Sequence, residues 1–412
     1  MEGGAVSKET GLPVHQHWKM LLLLIVLTIF DTLLCSVLLF YYSDTYANYI
    51  NQATGTMYIM MSTAHRRLYA AAQRAKRERE EDGEFAGAGA GAGSALGGGG
   101  GLGDGGEPLL RAQAGAAAVG AAADKGKPPV PRRVLVLIGF MNGTGNFFQA
   151  IGQVHTSGKT QTLLALIGIP VVMLLSWLFL HKQPNAIALG AAALIVLGTV
   201  LSVLPSLTAS GGGGDSGTGV VTYWYSVLIF FFGQLFFAVE KVLEEVCFRR
   251  YARLDVLRMF QWTMVVQTLL YFPYYTIQNI GAFGGLDLAD LPYVLRDGIL
   301  CTAGADALSA NGNRPACTWR NPFLFFTYCA VDYCCYGMGL YVIKKGGANL
   351  VVLATAISLP LTNIAFSLPL GSVPGFGEKF EPLNVAALAC AMVGFYVYEK
   401  YGDTKVLVKP VR

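Results

Sequence analysis

The chain has 412 residues, of which 53% are hydrophobic and only 14% charged. Soluble domains carry about 25% charged residues, so this balance excludes an ordinary soluble domain and indicates a polytopic membrane protein. A net charge of +4 is too small to indicate a nucleic-acid partner.

The first 17 residues, MEGGAVSKETGLPVHQH, mix charges and lack the Arg- and Ser-rich, acid-poor character of a transit peptide. Lys19 to Tyr42 is a long apolar run without a small-residue cleavage site, and reads as a retained signal-anchor helix. Further apolar runs of about membrane-spanning length predict helices at 47–66, 134–154, 160–181, 185–204, 221–246, 256–278, 322–343, 347–369 and 382–400. The 47–66 segment is the weakest of the ten, because it carries Asn48, Asn51 and Gln52.

Composition changes abruptly after residue 66. RRLYAAAQRAKREREED can extend the second helix into solvent, and the Gly/Ala-rich remainder of 67–133 reads as a flexible linker. A second Gly-rich loop spans 205–220, and a long loop spans 279–321. Basic residues concentrate in alternate connections, which places 1–18, 67–133 and the tail 401–412 on the cytosolic side. Five helices per half then makes any duplicated half inverted across the bilayer. The expected fold is all-α: ten transmembrane helices in two inverted five-helix halves.

Two intervals support the duplication. Asn142 precedes Pro170 by the same number of residues as Asp332 precedes Pro360. The prolines sit in similar settings, LIGIPVVMLLS and TAISLPLTNIAFS, and are expected to break their helices near a midplane site.

Asp31 and Asp332 fall mid-helix, where a carboxylate costs at least about 2.5–3.5 kcal/mol. Each therefore faces either a wet cavity or a structural hydrogen-bond partner. Protonation of either acid would couple solute movement to protons. Asn142, Asn146, Gln149 and Gln153 recur at helical spacing on one face of the third segment, which lines a cavity or a helix contact. Gly139 and Gly143 flank that face and permit close helix packing. In EKVLEE, Glu240 and Lys241 lie inside an apolar run. This group reads either as an interfacial ion-pair cluster, with Lys241 pairing to Glu245 and within reach of Glu244, or as a charge at a cavity mouth.

GQVHTSGKTQTLL, 152–164, imitates a phosphate-binding loop, but its glycines are one residue too far apart and it joins two apolar helices. It reads as a tight turn with Lys159 at its rim. The five histidines show no metal-ligand spacing, and neither G-x-S-x-G nor H-E-x-x-H occurs, so no metal, cofactor or enzymatic activity is expected. Cys35, Cys247, Cys329, Cys334, Cys335 and Cys390 sit in or beside apolar segments and read as small core residues. Cys301 and Cys317 lie in the long lumenal loop, as a bridge worth about 3 kcal/mol or as two thiols.

TSGKTQTLLALIGIPVVMLLSWLFL, EEVCFRRYARLDVLR, DLPYVLRDGILCTAG with CTWRNPFLFFTYCAVDY, and NLVVLATAISLPLTNIAF together resemble the chloroquine-resistance-transporter-like family of the drug/metabolite transporter superfamily. The resemblance covers 134–402 well and 19–66 weakly. It implies a ten-helix carrier with a central cavity in a vacuolar or lysosome-like membrane, or in a plastid envelope. Solutes of such carriers are amino acids, small peptides, thiols such as glutathione, or cationic drugs. The resemblance places Cys301 and Cys317 where the family has its outer lumenal disulfide, and finds no counterpart of the parasite member's inner pair. It places Asn142 where that member has an aspartate, which makes the cavity less attractive to cations. With Lys159 the expected solute is anionic or zwitterionic. The expectation is a carrier for small zwitterionic solutes, a monomer or weak dimer in a lipid membrane. Rival readings are a nucleotide-sugar or sugar-phosphate carrier, and a non-transporting scaffold or receptor subunit whose polar faces close on each other.

Overall fold

The computed structural model describes residues 14–42, 46–91, 130–154, 164–180, 185–208, 224–251, 254–283, 285–305 and 319–366, with isolated positions elsewhere. These residues are almost wholly helical. The helices are α1 (Val14–Tyr42), α2 (Ala47–Gly91), α3 (Arg132–Val154), α4 (Gly168–Leu180), α5 (Ala186–Thr208), α6 (Trp224–Arg250), α7 (Val256–Gln278), α8 (Leu291–Thr302), α9 (Asn321–Gly346) and α10 (Ala348–Phe366). A two-residue antiparallel pairing joins Lys182–Gln183 to Lys405–Val406. The expected segment 382–400 is described only at isolated positions.

Among the described residues, four stretches are long and apolar enough to cross a membrane: Lys19–Leu38, Arg132–Gln153, Trp224–Arg250 and Asn321–Gly346. Leu22, Phe30, Phe232 and Phe323 stay exposed along them. A surface of this kind suits hydrocarbon rather than water. Cys334, expected in the core, is exposed on α9 as part of that outer surface.

Helix pairing follows a pattern. The α6 helix packs against α3 and α4, α1 packs against α9 and α10, and α2 packs against α7. The α3 and α6 backbones approach closely at glycines. A Cβ on Gly152 would lie 2.6 Å from the backbone nitrogen of Phe230, and one on Gly233 would lie 2.9 Å from that of Gln149. Gly139 turns instead to α7, where a Cβ would lie 2.6 Å from Val266 Cβ. Small residues thus let backbones meet where lipid offers no hydrophobic drive to association.

The polar residues that weaken 47–66 as an apolar segment find partners inside the bundle. Asn48 Nδ2 donates to the Tyr271 carbonyl at 3.2 Å, Asn51 Nδ2 to the Asn146 carbonyl at 3.2 Å, and Tyr275 OH to Gln52 Oε1 at 3.0 Å. The α2 helix runs on through the charged stretch, as its sequence allows, and past it to Gly91. Elongation of an existing helix needs only one further hydrogen bond per residue, which carries it into the Gly/Ala repeat expected to be linker.

Two proline expectations divide. Pro170 is not mid-helix: it is the third residue of α4, and a turn at Leu166–Ile167 separates α4 from the chain before it. The carbonyl that a proline would free, that of Leu166, accepts from Ile169 N at 3.0 Å. The ring clash moved the helix start rather than opening a gap. Pro360 does not break its helix, since α10 continues to Phe366. Around it Thr355 Oγ1, Ser358 Oγ and Thr362 Oγ1 bond back to their own helix.

The 279–321 loop holds an unexpected element, the 12-residue α8. Asp287 caps the turn before it by accepting from Ala289 N at 3.0 Å, and Pro292 occupies its first turn. The α8 helix lies on the start of α2: a Cβ on Gly298 would lie 2.7 Å from the Tyr49 ring, and Tyr49 OH meets Thr302 Oγ1 at 3.1 Å. Cys301 is fully buried, disulfide-bonded, and accepts from Asn321 Nδ2 at 3.2 Å. Cys317 lies outside the described residues.

Candidate functional site

A cavity of about 300 Å³ lies among the helices. The α3 helix gives it the whole polar stripe, Asn142, Asn146, Gln149 and Gln153. From α1 come Thr28, Asp31 and Cys35, and from α2 come Asn51, Thr54 and Tyr58, one face at helical spacing. From α6 come Gln234 and Lys241, and from α9 Tyr328, Asp332 and Tyr336. Seven residues singled out from sequence therefore line one space. Glu240 stands directly behind it, fully buried.

On the α1–α9 side sit the two acids. Asp332 Oδ2 accepts a hydrogen bond from Tyr58 OH. The Tyr58 ring is fixed edge-on to Phe260, with centroids 6.1 Å apart. Asp31 Oδ1 is buried and has no hydrogen-bond partner among the described residues. The helices that carry the two acids meet through Thr28 Oγ1 and Cys335 Sγ, 3.6 Å apart. Gln267, also on the wall, donates to Tyr271 OH at 2.7 Å and leaves its Oε1 unpartnered. Buried polar atoms ordinarily have partners, so unmatched ones aimed at a cavity are positions where a ligand or water completes the set.

On the α6 side sits a denser group. Glu240 Oε1 accepts from Asn142 Nδ2 at 2.8 Å. Tyr336 OH lies 2.7 Å from the same oxygen and 2.9 Å from Glu244 Oε1. One hydroxyl carries one proton and can donate to only one carboxylate. The second contact becomes a full hydrogen bond only when a carboxyl of the pair is itself protonated. Lys241 Nζ is 3.5 Å from Glu240 and 3.4 Å from Glu244, and lies 4.8 Å from the centre of the Tyr336 ring. The group is thus buried, with two acids sharing one ammonium, rather than interfacial.

Glu245 departs from its expected pairing with Lys241. Its carboxylate binds Arg249 at 2.7 Å and accepts from Ala348 N at 2.9 Å. It thereby caps the N-terminus of α10, where an anion is favoured. Gly347 has φ of +89° there, and a Cβ would lie 3.1 Å from the carboxylate. The G-G before Ala348 was the sequence signal for this turn.

Gln161 Nε2 donates to the carbonyls of Gln153 at 2.9 Å and Thr156 at 2.7 Å, and so satisfies the C-terminal end of α3. Lys159 lies outside the described residues. Sequence reasoning also passed over Tyr58, Tyr336, Gln234 and Gln267.

A family model described as CRT-like, chloroquine-resistance transporter-like, matches residues 118–398. The chain belongs to the chloroquine-resistance transporter-like family. Its relatives include Crt homolog 1 of Dictyostelium discoideum, 27% identical over 65% of this chain and 59% of that protein. The chloroquine resistance transporter of Toxoplasma gondii is 29% identical over 67% of this chain and 31% of that protein. Solute carrier family 35 member F2 of Mus musculus is 25% identical over 64% of this chain and 59% of that one. The chain therefore spans less than two thirds of the length of each of these relatives. Membership in this CRT-like family makes the chain a multi-pass membrane protein of a transporter family, with the drug/metabolite superfamily as its wider kin. The matched region takes in α3 to α10 and leaves Asp31 and Tyr58, on α1 and α2, outside it.

Proposed function

We propose that this protein is a secondary active transporter that moves small zwitterionic solutes by alternating access, coupled to protons. Amino acids, short peptides and thiol peptides such as glutathione are the solute class. The observation that carries this reading is the cavity of about 300 Å³, whose lining holds two acids, Asp31 and Asp332, and one base, Lys241. Charges of both signs around one space suit a solute with an ammonium and a carboxylate. The volume is near the lower end of the roughly 300–1,000 Å³ usual for ligand pockets.

That size and charge favour zwitterions over the rival superfamily solutes. A nucleotide sugar needs several cations at its phosphates, and Lys241 is the single basic side chain among the described residues of the wall. A scaffold or receptor subunit would close its polar faces on each other, whereas the α3 stripe faces open space.

We further propose ten membrane helices in two inverted halves. Three of the pairings support this, because exchanging the halves carries α6 on α3 and α4 into α1 on α9 and α10, and leaves α2 on α7 unchanged, although the close packing of α3 on α7 has only a slight counterpart in α9 on α2. Both termini then lie in the cytosol, and the membrane is vacuolar or lysosome-like. Cys301 and Cys317 form the lumenal bridge that holds α8 over the mouth. Peptide mapping that finds both alkylated without reductant removes that pair.

Uptake by proteoliposomes of a panel of amino acids, di- and tripeptides, glutathione and nucleotide sugars tests the function. Saturable uptake of at least one zwitterion, raised by an imposed proton gradient, is the expected result. Uptake of nucleotide sugars alone, or of nothing, overturns it.

A further inference from the structure

We infer that the transported zwitterion bears a large apolar side chain, and that an apolar chamber continuous with the polar cavity receives it. The inference deepens the transporter reading above and rests on it. The chamber has a volume of about 150 Å³ and lies where the start of α4 meets the middle of α6 and α10. Leu166, Gly168 and Val172 form one wall, Phe237 and Ala238 a second, and Val352 a third. It shares half of its lining with the polar cavity, including Phe237 and the polar side chains of Gln234, Lys241 and Thr355. Charge and amide groups therefore stand at the junction, with hydrocarbon beyond them.

The chamber follows from the local chain path. The turn before Pro170 delays the start of α4 to Gly168, and a Cβ built there would meet nothing within 4 Å. Gly168 lines the chamber and leaves room there for a side chain. A volume of about 150 Å³ is large enough for a benzene ring. A leucine- or phenylalanine-type group is of that size.

The junction fixes the orientation. The Lys241 ammonium has three donors, and its contacts to Glu240 and Glu244 at 3.5 and 3.4 Å are long, so it retains capacity for a substrate carboxylate. With the carboxylate on Lys241, the side chain enters the apolar chamber. The ammonium then faces the polar cavity that holds Asp31 and Asp332. A lipid acyl chain could fill the apolar space, but it would bring no group for Lys241.

The test uses the full chain in proteoliposomes, with glycine, serine, leucine and phenylalanine as competitors of whichever zwitterion is taken up. Wild type is expected to favour leucine and phenylalanine over glycine and serine by about tenfold or more, the range of discrimination an apolar pocket gives. Gly168→Leu, which fills the chamber, should reduce that ratio toward one. Val352→Ala, which widens it, should shift preference from leucine to phenylalanine. Transport without side-chain preference, or an unchanged ratio in both variants, overturns the chamber assignment while leaving the transporter reading intact. A preference lost only together with a phospholipid that copurifies with wild type and not with Gly168→Leu assigns the chamber to lipid instead. Failure of wild type to move any zwitterion sinks the transporter reading itself.

Discussion

Asp332→Asn is expected to lower uptake on the order of tenfold or more and to flatten its response to an imposed pH gradient. The substitution is nearly isosteric and leaves an oxygen to accept from Tyr58 OH, so the contact between α2 and α9 survives. What it removes is the ability to change charge. Asp332 lies on the cavity wall, as do Lys241 and its neighbour in charge, Asp31, on α1. Two carboxylates in one low-dielectric space repel each other, and a proton on either relieves that repulsion. A substrate ammonium relieves it equally well. Under the proposed coupling, proton and substrate compete for the same negative charge. Tyr58→Phe separates geometry from charge. It keeps the acid but orphans its buried oxygen, and should weaken substrate affinity while retaining the pH response. An Asp332→Asn protein with wild-type rate and pH profile would remove the coupling role.

The parts of the site that were legible in the sequence are those that violate the environment around them. A carboxylate in the middle of an apolar run has few places to go, so Asp31 and Asp332 pointed to either a cavity or a buried partner. Four amides at helical spacing on α3 did the same, because lipid would refuse that face. Tyr58 and Tyr336 gave no such warning. A tyrosine in an apolar helix is an ordinary core residue, and only the fold shows that one hydroxyl touches Asp332 and the other stands between Glu240 and Glu244. The EKVLEE run was legible as charge but not as pairing, since Glu245 is drawn off by the N-terminus of α10, a hundred residues away in the chain. The prolines misled through symmetry: similar sequence settings gave a delayed helix start at Pro170 and an unbroken helix at Pro360. Proline restricts the backbone locally, and the neighbouring helices decide how the strain is resolved. The α8 helix was hidden because its apolar stripe is short and sits within a segment of loop composition.

Lys241→Met is expected to be the most damaging single change to stability. Glu240 and Glu244 are fully buried, and Lys241, 20% exposed at its side chain, is the cation within 3.5 Å of both. Removing one partner from a buried ionic group costs about 3–5 kcal/mol, because the remaining charges are left uncompensated. Asn142 and Tyr336 still donate to Glu240, so the loss falls mainly on Glu244, whose other near donor is the shared Tyr336 hydroxyl. The variant should therefore melt well below wild type in detergent and give little folded protein. Lys241→Met combined with Glu244→Gln should recover at least half of the lost melting temperature, since it removes the orphaned charge and keeps the side-chain shape. Transport should stay lost in both, because neither supplies a cation for the substrate carboxylate. This split between rescued folding and unrescued transport distinguishes a lysine that only balances its neighbours from one that also holds the solute. A double variant that regains transport along with stability would show that Lys241 does no more than neutralise Glu240 and Glu244.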